Sequence, residues 1–346
     1  PWPGGRVNHY YFDLNRDWAW QTQVETQQRI KLYNQWMPHV HVDFHEQHYN
    51  DPYYFAPAAQ PYHELITPFQ RKFQETIGRN HARYFDEKGW LYFTKERFDL
   101  LYPAYGDSYP IYNGAIGMTY EQGGGPSGGS AVITAEGDTL TLLDRATHHF
   151  TTGLSTIEVA SKNKTELLNE FARFFRNGVT GGSGAYAAYV IKRNPSDEPK
   201  MRTLTELLNR NGIKWGTAVA GNGRGLNYNN KREESFALTA NDIVIPALQA
   251  KSVLASVLFE PETKVVDSAT YDITAWALPY AYGLNAFASK AAVRYNAATS
   301  LPVNNDATAD ASYGYAFNWS GLPSVKLAAA LLNKGVRLRY TSAPFE

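Results

Sequence analysis

Strand-like apolar segments alternate with amphipathic helical segments along this chain, and few folds accommodate such an order. Apolar residues recur every three or four positions in four segments, which predicts helices at residues 21–36, 68–85, 147–176 and 203–210. Short apolar runs predict strands at residues 40–44, 115–120, 187–191 and 213–219. Because strands and helices alternate, we expect an α/β fold with a largely parallel sheet.

A Gly/Ser-rich stretch at residues 177–184 interrupts this order. Its composition is typical of a flexible linker, and a length of 346 residues suggests about two domains. We therefore predict a first domain at 1–177, a linker at 178–184 and a second α/β domain at 185–346. In the second domain, helices ending at Gly212 and Gly335 each lead into an apolar segment, which predicts a repeated helix–strand unit.

Composition excludes several classes of function. The chain has no cysteine, so disulfides, thiolate nucleophiles and cysteine-based metal sites are excluded. Lys plus Arg and Asp plus Glu are balanced at 33 each, which argues against broad electrostatic binding of nucleic acid. No apolar run approaches the roughly 20 residues of a membrane-spanning helix, so we predict no membrane span.

Histidine is confined to the first half, where all nine residues lie at or before His149. Histidine is the side chain best suited to metal ligation and to proton transfer near neutral pH, so we expect the chemistry in this half. Ligands of open α/β sheets bind beyond the carboxyl ends of strands. His45 directly follows the first strand and Glu121 follows the second, which makes them candidates for a metal ligand and a general base.

Two other segments of the first half carry candidate binding groups. Asn15 and Arg16 form an adjacent pair that can bind a carboxylate, with Arg supplying a charged fork. The alternative is an Arg that pairs with Asp13 or Asp17. The Tyr-rich segment 102–110 can form a loop that closes over a ligand, but plain packing is the leading interpretation, because aromatic residues in loops commonly serve packing.

Three further segments have simpler interpretations. We interpret residues 123–129 as a mobile glycine-rich loop and residues 221–225 as a flexible loop, not as a nucleotide-binding motif. Residues 267–272 contain acids and hydroxyls without a basic partner, which indicates helix capping and turns.

The order of these motifs is more specific than any one of them. An Asn-Arg pair is followed by Asp-x-His at 43–45, a Tyr-rich loop, and Thr-x-Glu at 119–121. This order resembles the zinc carboxypeptidases of the carboxypeptidase A type, over about residues 3–176. Residues 3–16 are similar to a bacterial branch of that family. The resemblance implies the C-terminal portion of an α/β/α peptidase domain, in an exported (periplasmic or extracellular) zinc-dependent hydrolase of peptide C-termini.

The resemblance also implies roles in the chemical step. His45 corresponds to the third zinc ligand of the family. Glu121 corresponds to the catalytic base that activates the zinc-bound water. Arg6 is the best match to the Arg that polarises the scissile carbonyl, although its spacing to Asn15 is short.

Substrate-binding roles follow from the same resemblance. Asn15 and Arg16 correspond to the residues that bind the terminal carboxylate of the peptide. Tyr102 is the best match to the Tyr that caps the substrate, with Tyr105 close behind.

One departure from the family is serious. The family takes its first two zinc ligands from an H-x-x-E pair that precedes the Asn-Arg motif, and this chain has no H-x-x-E. Catalytic zinc normally has three protein ligands. We therefore expect the remaining ligands upstream of this chain, which alone would be inactive. A lesser alternative is a substitute site that combines His45 with His41 or His48.

Other functions stay open. A non-catalytic module can use Asn15 and Arg16 to bind peptide C-termini without cleaving them. A glycosidase can use paired acids such as Asp107 and Glu121, but it does not explain Asn15, Arg16 or His45. The second domain resembles a class I glutamine-amidotransferase-like layer at the level of fold alone. It lacks the Cys and His of that activity, so we expect it to pack against the peptidase domain or frame its cleft.

Overall fold

The computed structural model describes residues 6–266, 270–273, 275–302 and 314–343. The helices of this described part are α1 Val24–Trp36, α2 Pro68–Lys88, α3 Ser108–Tyr112, α4 Leu142–Lys162, α5 Lys164–Thr180, α6 Glu198–Asn211, α7 Ser252–Phe259, α8 Leu278–Tyr282 and α9 Gly321–Asn333. The strands are β1 Val40–His48, β2 Tyr53–Tyr54, β3 Tyr92–Phe93, β4 Ile116–Gly124, β5 Ala131–Ile133, β6 Thr139–Thr141, β7 Ala188–Ile191, β8 Trp215–Ala218, β9 Gly221–Asn227, β10 Glu233–Leu238, β11 Ile243–Pro246, β12 Ala286–Ser289 and β13 Tyr295–Ala298. The protein is therefore a mixed α/β structure, as the alternating pattern predicts.

The sheet of the first half has the strand order β1-β4-β2-β3. Strands β1 and β4 are parallel neighbours, whereas β2 runs antiparallel to β4. Strand β4 is buried along almost its whole length, because helices α2 and α4 both contact it and each other. A strand covered in this way needs an almost continuous apolar run, and Ile116, Met118 and Tyr120 supply it.

Local signals define the helices around this sheet. Thr67 begins α2 through a capping box with Gln70, with Pro68 in the first turn, and Gly89 ends it in the left-handed conformation. Helix α1 ends at Trp36, one residue before Met37 takes a left-handed conformation ahead of Pro38. Both helices were predicted, and their observed ends differ from the predicted ones by no more than three residues.

The sheet of the second half corrects the expectation of a largely parallel arrangement. It has seven strands in the order β10-β9-β12-β7-β11-β8-β13. Every pairing between neighbouring strands in it is antiparallel. The helical segments therefore do not act as crossovers between adjacent parallel strands, which is what the alternating pattern implied.

Helix boundaries correct two further predictions. The helix expected at 147–176 is two helices, α4 and α5, which meet at Asn163. Helix α5 continues to Thr180, so the first residues of the predicted linker are helical. Gly178 lies within it, where a Cβ would meet the backbone oxygen of Gln249 at 2.7 Å. Its glycine character therefore permits close helix packing, not flexibility.

Glycine-rich segments also differ from their predicted roles. Residues 221–225 are part of strand β9, not a loop. Residues 123–124 end strand β4, and the following glycines surround Arg145, which donates to Glu46 Oε1 at 2.8 Å and to the Gly129 oxygen at 2.6 Å. At the C-terminal end, residues 336–340 lie outside the strands of the described part, so the second copy of the predicted helix–strand unit lacks its strand.

The two halves share one buried core. Asn211 at the end of α6 is fully buried and accepts hydrogen bonds from Gln21 Nε2 at 2.9 Å and from Tyr109 Oη at 2.8 Å. Lys251 donates to Asn113 Oδ1 at 2.6 Å, and burial lowers the pKa of this lysine to about 8. The second half therefore packs directly behind the segment that carries the candidate site.

Candidate active site

Strand pairing brings the two leading candidates together. In the parallel register of β1 and β4, His45 lies directly opposite Glu121, and Asp43 opposite Thr119. The Nε2 atom of His45 lies 2.7 Å from Asp43 Oδ2 and 3.5 Å from Asn15 Nδ2. Three segments far apart in sequence thus bring an imidazole, carboxylates and an amide together. His45 and Glu121 were expected just beyond their strands, but β1 continues to His48 and β4 to Gly124, so both residues lie within the strands, three residues before each carboxyl end.

Burial sets the proton affinity of Glu121. The side chain is 8% exposed, and this desolvation raises its pKa from the ordinary value of 4.5 to about 7. The positive charges of His45 and Arg6 oppose that increase, whereas nearby Asp43 and Asp107 add to it. A carboxyl group with a pKa near 7 can both accept and release a proton at neutral pH.

The pKa of His45 is raised, whereas burial alone would lower the pKa of a histidine. Burial lowers it, but the hydrogen bond and charge of Asp43 together with the charge of Glu121 outweigh this, so the net pKa is raised. His45 and Glu121 therefore form a coupled pair whose proton affinities depend on each other.

A buried carboxyl group lies behind this pair. Asp107 accepts from Thr119 Oγ1 at 2.9 Å and from the Ser108 backbone N–H at 2.7 Å, and burial raises its pKa to about 6. Next to it, the Gly106 N–H donates to Asn15 Oδ1 at 2.7 Å. A Cβ on Gly106 would lie 2.1 Å from Asp43 Oδ2, so only glycine allows this close approach.

Asn15 and Arg16 lie in a single turn of 3₁₀ helix at Leu14–Arg16, begun by Asp13, whose side chain accepts from the Asn15 N–H. The guanidinium of Arg16 lies 4.6 Å above the ring of Tyr105. Its Nε donates to Asp272 Oδ2 at 2.6 Å, and its Nη1 lies 3.7 Å from Asp13 Oδ2. The candidate carboxylate-binding Arg is thus already paired with carboxylates of the protein.

Arg6 lies at the open side of the site. Its Nε and Nη2 both lie 3.0 Å from Asp13 Oδ2, and its side chain is 54% exposed. Asp13 is therefore closer to Arg6 than to Arg16, and Asp17 instead accepts from Thr22 and Gln23. The sequence left open an ion pair of Arg16 with Asp13 or with Asp17. Among the described residues, Arg16 contacts Asp13 and not Asp17.

Tyr102 and Tyr105 do not form an open loop over the site. Both are buried, at 4% and 6% exposure. Tyr102 Oη accepts from Trp20 Nε1 at 2.5 Å and donates to the Arg16 backbone oxygen at 3.0 Å. This burial agrees with plain packing, the leading interpretation of the segment, because both side chains belong to the core, and it gives no support to a loop that closes over a ligand.

The histidines that precede His45 do not join it. His41 packs against Trp18 and Tyr33 at ring-centroid distances of 5.5 and 5.9 Å, and His39 packs against Phe171 at 4.2 Å. In the part of the chain that the structure describes, no group of three or more metal-ligating side chains is placed to hold a metal ion. The described residues therefore do not complete a zinc site around His45, whether with His41 or with His48.

The sequence did not indicate the role of Asp272. This residue was assigned to turns without a basic partner, yet it pairs with Arg16. Residues 267–269 of the same segment lie outside the described residues. A separation of 256 positions gives no local signal for such a contact. The sequence indicates Asp107 only as a possible glycosidase acid. In the structure this buried carboxyl accepts from Thr119 Oγ1, and its charge helps to raise the pKa of Glu121.

Comparisons with protein-family models, with curated proteins and with solved structures found no match to this chain. The resemblance to zinc carboxypeptidases therefore rests on residues and their order alone. Within the described ranges, no helix combines the length and apolar character needed to cross a membrane.

Proposed function

We propose that the chain carries the general base and the carboxylate-binding residues of a zinc-dependent metallocarboxypeptidase, a hydrolase that removes C-terminal residues from peptides. The observation that carries the proposal is the pairing of His45 and Glu121 on parallel neighbouring strands, with Asn15 against the imidazole and Arg16 next in sequence. These are the residues that the carboxypeptidase resemblance singles out, and the proposal is supported by the contact of Asn15 with His45 and by the register that sets His45 opposite Glu121.

Glu121 acts as a base and then as an acid in this proposal. Its carboxylate takes a proton from water, and the hydroxide adds to the carbonyl carbon of the last peptide bond. When the C–N bond breaks, Glu121 returns the proton to the departing amine. A pKa near 7 suits both steps, because neither protonation state is strongly favoured at neutral pH.

Cationic and amide groups select and polarise the substrate. Asn15 and Arg16 bind the terminal carboxylate, with the ring of Tyr105 against the Arg16 guanidinium and the hydroxyl of Tyr102 on the Arg16 backbone oxygen. Arg6 stabilises the oxyanion that forms at the carbonyl. Its charge already acts on Glu121, whose pKa it lowers.

Zinc is the cofactor that the resemblance implies, with His45 as its ligand in this chain. Because the described residues do not complete its site, no step of the hydrolysis is assigned to the metal. Export to the periplasm or the extracellular space belongs to the same proposal. So does the finer division into a carboxypeptidase-like domain and an amidotransferase-like accessory domain, although the antiparallel sheet of the second half gives the latter little support.

A second candidate function is a non-catalytic module that binds peptide C-termini. One observation favours it: His45 is the only one of the three expected zinc ligands that this chain matches, and the described residues form no metal-binding group. Both functions use Asn15 and Arg16 in the same way, and they differ in whether a bond is broken.

Release of the C-terminal residue from a peptide separates the two functions. The assay uses the full-length protein with zinc present and follows the products by mass spectrometry. The peptidase proposal predicts release by the wild type and its loss in Glu121→Gln, whereas Glu87→Gln, an exposed site on α2, retains it. Unchanged release by Glu121→Gln would remove Glu121 from the base role. Binding without release would favour the module.

A further inference from the structure

A short segment of the second half reaches the candidate site. We call residues 270–273 the strap. Asp272 of the strap accepts from Arg16 Nε at 2.6 Å, and the backbone N–H of Tyr271 donates to Asp99 Oδ2 at 2.7 Å. The strap is thus held at two adjacent residues by polar groups of the first half.

Aromatic contacts fix the position of the strap against Arg16. The ring of Tyr271 packs against Phe98 and Tyr105, at centroid distances of 5.5 and 6.2 Å. The guanidinium of Arg16 lies 5.8 Å from the Tyr271 ring and 4.6 Å from the Tyr105 ring. The second half therefore supplies both a carboxylate and an aromatic ring to the group proposed to bind the substrate carboxylate.

Arg16 also has contacts that do not involve Asp272. Its Nη1 donates to the Asn15 backbone oxygen at 3.4 Å and faces Asp13, while Tyr105 supports the plane of the guanidinium. These contacts belong to the first half, and we expect them to remain when Asp272 is changed. Asp272 contributes a negative charge next to the Nε atom of the Arg16 guanidinium.

The carboxylate of a peptide that approaches the Arg16 guanidinium is repelled by the negative charge of Asp272. Two carboxylates near one cation repel each other, so an incoming carboxylate must either displace Asp272 or bind less tightly beside it. The Arg16 and Asp272 side chains are 24% and 30% exposed, so water can replace either partner and the pair is open to exchange.

We propose that Asp272 is a specificity-determining residue of the candidate site, an internal competitor that occupies Arg16 until the terminal carboxylate of a peptide displaces it. The inference rests on the proposed function, since it assumes that Arg16 binds that carboxylate. Its consequence is that the second half of the chain sets how strongly the site prefers a charged peptide end over a neutral one.

Calorimetric titration of this chain tests the proposal. The probes are a short peptide with a free C-terminal carboxylate and the same peptide as its C-terminal amide. Asp272→Asn removes the charge and keeps the size of the side chain, so we expect about tenfold tighter binding of the carboxylate peptide and unchanged binding of the amide. Asp272→Glu keeps the charge and should bind like the wild type, and so should Glu87→Gln, which neutralises the partner of exposed Arg83.

Two results would overturn the inference. The first leaves the proposed carboxylate-binding function intact, and the second removes it. If the wild type prefers the carboxylate peptide and Asp272→Asn binds it equally or more weakly, Asp272 supports Arg16 and does not compete with substrate. If neither protein distinguishes the carboxylate from the amide, the carboxylate-binding role of Arg16 itself fails. Thermal melting of each variant identifies a loss of folding, and Asp272→Glu then supplies the comparison at constant charge.

Discussion

Replacing Glu121 by Gln should make the stability of the protein less sensitive to pH between about 4.5 and 7. Burial raises the pKa of Glu121 from 4.5 to about 7, so the folded state retains a proton that the unfolded chain releases over this range. Wild-type stability therefore falls as the pH rises, because the folded protein must either hold the proton or bury a charge.

The size of the effect follows from the same pKa. A tenfold change in proton affinity corresponds to about 1.4 kcal/mol, so a pKa moved from 4.5 to about 7 corresponds to roughly 3 kcal/mol. This cost is absent below about pH 4.5, where both states are protonated, and complete above about pH 7. The raised pKa of His45 acts in the same direction, because its stabilising contribution is lost as the pH rises through that pKa.

Urea unfolding of the wild type and Glu121→Gln at several pH values between 4.5 and 8, in buffer with a chelator, measures the difference. We expect the stability of the variant relative to the wild type to increase by about 1–3 kcal/mol across this range. Glu87→Gln, at an exposed position, should show no such trend. A difference between Glu121→Gln and the wild type that is constant with pH would show that Glu121 is not desolvated, and the reasoning about its base role would fail.

Two further substitutions test the packing around the site. Gly106→Ala should lower the free energy of unfolding by about 2 kcal/mol or more in urea, because its Cβ would lie 2.1 Å from Asp43 Oδ2, whereas Gly221→Ala, with open space around it, should change little. A small effect at Gly106 would mean that Asp43 can move away. Asn211→Ala should cost about 2–4 kcal/mol by the same assay, since it leaves buried donors of the first half unpaired, and exposed Asn222→Ala should cost far less. Equal costs at the two Asn positions would contradict the shared core.

Elements defined by local signals could be predicted from the sequence. Helix α2 carries its start signal at Thr67 and Pro68 and its stop at Gly89, so its ends follow from nearby residues. Strands β1 and β4 were predicted from their apolar runs, and their pairing brings His45 and Glu121 together, although both strands continue three residues past these side chains. The expectation needed one tertiary assumption, that these two strands are parallel neighbours.

Features that depend on distant pairing could not be predicted. The antiparallel sheet of the second half depends on which strands become neighbours, and the pattern within each strand does not specify this. Strand β9 was misread because its glycines indicated a loop, yet Gly225 has no side chain where the Ala288 backbone approaches within 2.5 Å of a Cβ position. The contact of Asp272 with Arg16 likewise exists only after the two halves pack together.

The most direct test of the central claim is the affinity of this chain for a peptide with a free C-terminal carboxylate, compared with its C-terminal amide. If Asn15 and Arg16 bind a terminal carboxylate, the wild type should bind the carboxylate peptide about tenfold or more tightly than the amide, and Arg16→Gln should abolish that preference. Equal affinity of the wild type for the two peptides would contradict the account.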